Sequence, residues 1–232
     1  MSRIKLSNEV FNLGLNQKEL AVFAYMSSLP ALDNLITIKQ STIAQKCGIK
    51  AVQTVSKIIS SLEDIGLVVR YSRHIKDNRH NGTYIYRINK LDTNKSFFFF
   101  ERHVFGLLNA RQLTVYLFMC KSYSTVIKRC WNSYNDISKQ IHMKRETVIQ
   151  TVQELCKLKL IVKIKRKSKK NKRINVDNHY QIIFVVHMKI KKRPFPKKRN
   201  GRKKIKIYLD IKYDNTRGMK CQQFAIRGSP SD

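Results

Sequence analysis

The stretch EVFNLGLNQKELAVFAYMSS, beginning at Glu9, recurs as HVFGLLNARQLTVYLFMCKS from His103. Val10-Phe11 matches Val104-Phe105. After a one-residue deletion, Leu15-Asn16 matches Leu108-Asn109, Leu20 matches Leu113 and Met26 matches Met119, each pair 93 positions apart. Further on, TVSKIISSLEDIGLVV (residues 54–69) aligns with TVIQTVQELCKLKLIV (residues 147–162) at the same offset. A chain that repeats itself over this length must fold one unit twice, which discards every fold without internal duplication.

Within each copy the hydrophobic period changes in the same order. Residues 16–29 carry Leu20, Phe23, Ala24 and Ser27 on one helical stripe, and residues 36–46 form a short second helical segment ending at Cys47-Gly48. The glycine suits a helix end that needs positive φ. Val55, Ile58, Ile59, Leu62 and Ile65 then recur at the spacing of an amphipathic helix over residues 52–65, which Gly66 ends. Residues 67–73 and the alternating TYIYRI (residues 83–88) read as strands around the polar loop HIKDNRHNG. The second copy predicts helices over 110–121, 134–140 and 145–158, a turn at 141–143, and strands over 160–165 and 179–186. Each copy is thus helix, helix, turn, helix, hairpin. The expected domains are residues 1–88 and 97–186, joined by the polar linker NKLDTNKS (residues 89–96). In residues 187–232, alternating strands around Asn200-Gly201, a favoured hairpin turn pair, predict a basic β-hairpin and a frayed tail.

With 232 residues, 42% of them hydrophobic, the chain can bury one large core or two small ones. Its 47 lysines and arginines against 15 acids leave a net charge of +32. So large an imbalance costs stability by self-repulsion and points to a polyanionic partner, nucleic acid before an anionic membrane. The excess is polarised: 25 of the bases but only 4 of the acids follow Cys156. No apolar run approaches the roughly 18 to 20 residues that span a bilayer, so no membrane partner is expected. MSRIKLSNEVF lacks the apolar region of a secretory signal, and a cytoplasmic location is the expectation. Five scattered cysteines without CxxC spacing read as reduced thiols, with no disulfide framework and no zinc site.

The runs STIAQKCGI…QTVSKIISSLEDIGLVV and SYNDISKQIHMKRETVIQTVQELCKLKLIV, with their lead-ins, resemble the winged helix-turn-helix proteins of bacterial plasmids, phages and integrative elements. The resemblance covers roughly residues 5–88 and 97–182. It implies an α+β fold, mainly α: two tandem winged-helix domains, here followed by the basic β-hairpin extension. It implies double-stranded DNA as partner and a nucleoid- or plasmid-associated place in the cell. Such proteins include transcriptional regulators and replication initiators, and a second copy of the chain or the transcription or replication machinery would be a further partner. The sequence departs from the pattern in three places. The first copy has one residue more between Gly48 and Thr54, and the second has His142 at the turn glycine and Lys159 in place of Gly66.

In this family the last helix of the motif enters the major groove. The resemblance therefore implies Lys50, Gln53, Thr54, Ser56 and Lys57 as DNA-binding residues of the first copy, and Lys144, Arg145, Glu146, Thr147 and Gln150 of the second. Arginine can bind guanine bidentately, glutamine adenine, and glutamate can accept from cytosine. The loop KIKRKSKKNKR is free of acids, and its Lys165, Arg166, Lys167, Lys169, Lys170, Lys172 and Arg173 would lie along phosphates. Arg73, Lys76 and Arg79 of the less charged first loop would contribute less or read groove shape, while Lys197, Lys198, Arg199 and Arg202 of the extension belong to the basic C-terminal third that would anchor the chain electrostatically.

The acids are dispersed, and no GxSxG, GxxxxGKS or HxH motif is present, so neither catalysis nor a cofactor or metal is expected. Tyr116, Tyr180 and Tyr208 are the remaining nucleophile candidates. The leading expectation is a sequence-specific regulator of transcription. The alternatives are a replication initiator binding origin repeats, and an RNA-binding or architectural protein. The four phenylalanines of FFFFERHVF take the place of IKLSNEVF in the first copy. If that segment is extended, alternate rings pack inward, and at least two of the four are expected to be buried.

Overall fold

Asn16 and Asn109 start the same helix in the two repeats. In the computed structural model, which describes residues 3–74, 83–164, 178–183, 187–188 and 211–212, α1 spans Gln17–Ser28 and α4 spans Ala110–Lys121. Each opens with a reciprocal capping box. Asn16 Oδ1 accepts from the Glu19 amide at 3.1 Å while Glu19 Oε2 accepts from the Asn16 amide at 2.8 Å. Asn109 and Gln112 exchange the same two bonds at 3.0 and 3.1 Å. The third residue of each helix also reaches the third helix of its repeat, α3 (Val52–Asp64) or α6 (Arg145–Lys157). Ser61 Oγ donates to Glu19 Oε1, and Gln112 Nε2 donates to Glu154 Oε2, both at 2.8 Å. The carboxylate has changed helix between the copies, and the tie is kept.

The second helices are α2 (Gln40–Lys46) and α5 (Tyr134–Gln140). After each the chain turns through a left-handed residue, Gly48 at φ +64° and His142 at φ +50°. The next amide bonds back to the helix, Ile49 to the Ala44 carbonyl at 2.8 Å and Met143 to the Ser138 carbonyl at 3.1 Å, and both side chains are buried. Lys50 and Ala51 then lead into α3 where Lys144 alone leads into α6, so the extra residue is taken up in exposed turn and leaves the helix register intact.

Three-stranded antiparallel sheets complete each repeat. In the first, β2 (Leu35–Ile38), β3 (Val68–His74) and β4 (Thr83–Ile88) lie in the order β2-β4-β3. In the second, β6 (Cys130–Trp131), β7 (Ile161–Ile164) and β8 (His179–Ile182) lie in the order β6-β8-β7. Register is conserved: Val68 faces Ile88 as Ile161 faces Ile182, and Ile36 faces Tyr86 as Cys130 faces Tyr180. Gly66 and Lys159 both adopt left-handed backbone before the hairpin, at φ +73° and +57°.

The sequence expectation of one helical segment over residues 36–46 is corrected here. Asp33 and Asn34 turn the chain at positive φ, and Leu35-Ile-Thr-Ile alternates exposed and buried as an outer strand, so α2 begins only at Gln40. The result is a mixed α+β structure with six α-helices among the described residues.

The repeats share one core. β1 (Arg3–Ser7) pairs antiparallel with β5 (Phe97–Glu101), turning Ile4, Leu6, Phe98 and Phe100 inward; Phe97 and Phe99 are 42% and 43% exposed. Beneath this ribbon α1 packs on α4. Leu20 to Met26 and Leu113 to Cys120 are buried without interruption, as helices require when they have a partner on every side. Ser2–Ile182 is accordingly one compact unit. In the other, Ile183–Asp232 with Met1, Ile211 pairs with Met188 and Lys212 with His187 across β9 (His187–Met188) and β10 (Ile211–Lys212). The expected Asn200-Gly201 turn lies outside the described residues.

Candidate nucleic-acid interface

The third helix of each repeat divides into two faces. Val55, Ile58, Ile59 and Leu62 bury one face of α3, and Val148, Thr151, Val152 and Leu155 bury that of α6. Thr151 stays satisfied in the core because its hydroxyl donates to the Thr147 carbonyl at 2.7 Å. The opposite faces hold the candidate residues. Lys50, Gln53 and Lys57 are exposed, with Thr54 and Ser56 half-buried beside them. Lys144, Arg145, Glu146 and Gln150 are exposed, with Thr147 half-buried. Thr54 and Thr147 occupy equivalent positions in the first turn.

Neither helix has a side-chain cap. Asn16, Asn109 and Ser133 close the starts of α1, α4 and α5, whereas Ala51 and Lys144, like Lys39 before α2, make no cap hydrogen bond. The Thr54 amide turns back to the Ala51 carbonyl at 3.1 Å; the remaining first-turn amides have no side-chain cap, and the helix dipole there favours a negatively charged acceptor.

The two exposed faces differ in chemistry. At the common offset, Val52, Gln53 and Lys57 of α3 correspond to Arg145, Glu146 and Gln150 of α6. Val52 escaped the sequence reading, which sought polar groups; it is 43% exposed at the first helical position. A valine there is suited to a thymine methyl. Periodicity gave no signal, since Val52 stands three residues before Val55 and seven before Ile59, at the spacing of the buried stripe, and is exposed where the helix opens.

Other cations near these helices are held by the protein. Arg70 is bonded to Glu63 and to Ser60 Oγ, and the Glu63 hydrogen bond raises its pKa. Lys163 Nζ donates to Tyr134 Oη at 2.8 Å, which ties β7 to α5. Arg111 Nη2 donates to both Glu154 oxygens at 2.9 Å. The Glu154 carboxyl is lowered from its ordinary pKa by the Gln112 hydrogen bond first and by Arg111 second.

Arg73 contributes its backbone to β3, opposite Tyr84. Its side chain, Lys76, Arg79, the run Lys165, Arg166, Lys167, Lys169, Lys170, Lys172 and Arg173, and Lys197, Lys198, Arg199 and Arg202 lie outside the described residues.

No known protein family matches the chain, and no curated protein does.

Tyr116 and Tyr180, the nucleophile candidates within the described residues, are fully buried. Burial raises both phenol pKa values, which marks them as core residues. Tyr208 lies outside the described residues. Burial also pushes the Cys47 and Cys130 thiols up to about 12 and raises Cys120, leaving little thiolate for chemistry. Among the described residues no cluster of His, Cys, Asp and Glu is placed to hold a metal, and no helix is long and apolar enough to cross a membrane.

Proposed function

We propose that each repeat is a winged-helix unit and that the chain is a sequence-specific double-stranded DNA-binding protein, a transcriptional regulator of a mobile element. One observation carries this reading. In both repeats the third helix is anchored by an apolar stripe while its uncapped N-terminal turn presents a different set of exposed polar side chains. Long-range attraction would come from the net charge of +32, and discrimination from Gln53, Lys57, Arg145, Glu146 and Gln150 at base edges. The basic loop would hold phosphates and add affinity with little sequence information.

Replacing Arg145 and Gln150 by alanine tests the assignment. Removing either bidentate pairing should reduce discrimination between preferred and unrelated duplexes by about 1 to 3 kcal/mol. Equal weakening on all sequences would instead make the two residues phosphate clamps. Genome-wide mapping of bound DNA separates processes. Occupancy across promoters supports a regulator, whereas one cluster of direct repeats beside an AT-rich tract supports a replication initiator.

A further inference from the structure

The pairing of β1 with β5 is self-complementary. The two strands are the same segment of the repeated unit, offset by 94 positions before the one-residue deletion. Lys5 faces its own equivalent, Phe99. The other pairs exchange under the repeat: Ile4 with Phe100 becomes Leu6 with Phe98, and Arg3 with Glu101 becomes Ser7 with Phe97. An antiparallel pair of equivalent strands in this register has a two-fold axis through the central pair.

Side chains beneath the ribbon obey the same exchange. Phe11 meets Phe118 edge-on at 5.7 Å, and the equivalent residues, Phe105 and Tyr25, meet edge-on at 5.0 Å. The helices packed across the seam, α1 and α4, are also equivalents of each other. An interface in which the same patch is used by both sides is the signature of a two-fold dimer. Here both protomers are present in one polypeptide. The symmetry is approximate: Gly106 donates to the Lys46 carbonyl at 2.7 Å, and among the described residues no matching bond joins Asn12 to Gln140.

Within the repeats α3 packs on α1 as α6 packs on α4, so a two-fold that exchanges the repeats exchanges α3 with α6. Duplex DNA has two-fold axes of its own, and a protein with two-fold related reading helices meets it with its half-sites inverted. We propose that one chain reads a single duplex site made of two unlike half-sites in inverted orientation, α3 on one and α6 on the other. The half-sites differ because Val52, Gln53 and Lys57 stand where Arg145, Glu146 and Gln150 stand in the other helix. They are inverted because the seam between the repeats is that of a dimer, so no second copy of the chain is needed. The inference rests on the assignment of α3 and α6 as the DNA-reading helices.

The test is enrichment of bound sites from a pool of random duplexes by the full chain, followed by sequencing. The intact protein should enrich two unlike motifs at one fixed spacing, about 10 base pairs or a multiple between centres. The decisive variant carries Val52→Arg, Gln53→Glu and Lys57→Gln, which gives α3 the reading face of α6 at exposed positions. Its enriched site should become an inverted repeat of the α6 motif. The reverse exchange, Arg145→Val, Glu146→Gln and Gln150→Lys, should give an inverted repeat of the other motif and serves if the first variant folds poorly. A direct repeat from either variant overturns the inverted arrangement while leaving DNA reading by both helices intact. Enrichment of no motif by the intact chain overturns both.

Discussion

Lys5 lies opposite Phe99 in an antiparallel ribbon, and the two residues are the same position of a duplicated unit. One copy has a cation there and the other a ring, so duplication has kept the backbone pairing while the side chains diverged. Lys5 Nζ also sits 4.0 Å from the centre of the Phe97 ring, and Phe97 meets Phe99 edge-on at 5.3 Å. The outer face of the ribbon is therefore an aromatic pair covered by a lysine, a contact worth roughly 0.5 to 1 kcal/mol at an exposed site. The inner face holds the repeats together.

Stability should separate those faces. Phe98 touches Phe11 of the first repeat at 6.0 Å, and Phe100 touches Phe105 of the second at 5.8 Å, both from buried positions. Phe98→Ser and Phe100→Ser are each expected to cost about 3 to 5 kcal/mol in urea unfolding, in the range of deleting a buried ring. Phe97→Ser should cost under about 1 kcal/mol. Limited proteolysis should cut residues 89–96 faster in Phe98→Ser than in the native chain. Equal rates would mean that the ring only completes one repeat.

Three positions test the turn geometry. A Cβ at Gly48 would lie 3.0 Å from Asn109 Cα, and the backbone there is left-handed. Gly48→Ala should therefore cost more than the roughly 1 to 2 kcal/mol of left-handed strain alone. His142 and Lys159 carry that strain already in the second repeat. His142→Gly and Lys159→Gly should each raise stability by up to about 1 kcal/mol, read as a higher Tm.

Glu154 gives stability a pH dependence of known sign. Its folded pKa is lowered by Gln112 and Arg111, so its contribution is complete above the ordinary glutamate range and is lost as pH falls through the folded value. The native chain should exceed Glu154→Gln in Tm at neutral pH, and the gap should close on acidification below pH about 4. A gap independent of pH would show that the charge on Glu154 does nothing for the tie between α4 and α6.

Neutralising Lys165, Arg166, Lys167, Lys169, Lys170, Lys172 and Arg173 should weaken binding to every duplex alike and flatten its salt dependence by roughly 0.9 log units for each phosphate no longer held. Weakening confined to preferred sequences would move base reading into this loop.

The three helices and the hairpin of each repeat were legible because their periods are strong: Val55, Ile58, Ile59 and Leu62 specify one buried stripe, and TYIYRI specifies another. The turn residues were legible from Gly48 and Gly66, and alignment alone carried the same geometry to His142 and Lys159. The outer strands were not. Leu35–Ile38 is four residues long and abuts α2, so its alternation was absorbed into the helical period that follows. Cys130–Trp131 is too short to show a period. The seam was half-legible: FFFF predicted two inward rings, but its partner RIKLS has only two apolar residues and announces itself only through the repeat. Of the ten positions that polar chemistry singled out, Lys50 and Lys144 precede α3 and α6, Gln53, Lys57, Arg145, Glu146 and Gln150 are exposed on them, and Thr54, Ser56 and Thr147 are half-buried; Val52 was passed over because an apolar side chain carries no charge to flag it.

The central claim is that this chain binds duplex DNA through phosphate contacts and two reading helices. Its most direct test is the affinity of the intact chain for one preferred and one unrelated duplex, measured by fluorescence anisotropy from low to physiological salt. The expected result is a steep fall in both affinities, about 0.9 log units per log unit of salt for each phosphate contact, with the preference for one duplex preserved throughout. A flat titration, or equal affinity for both duplexes at every salt concentration, would contradict it.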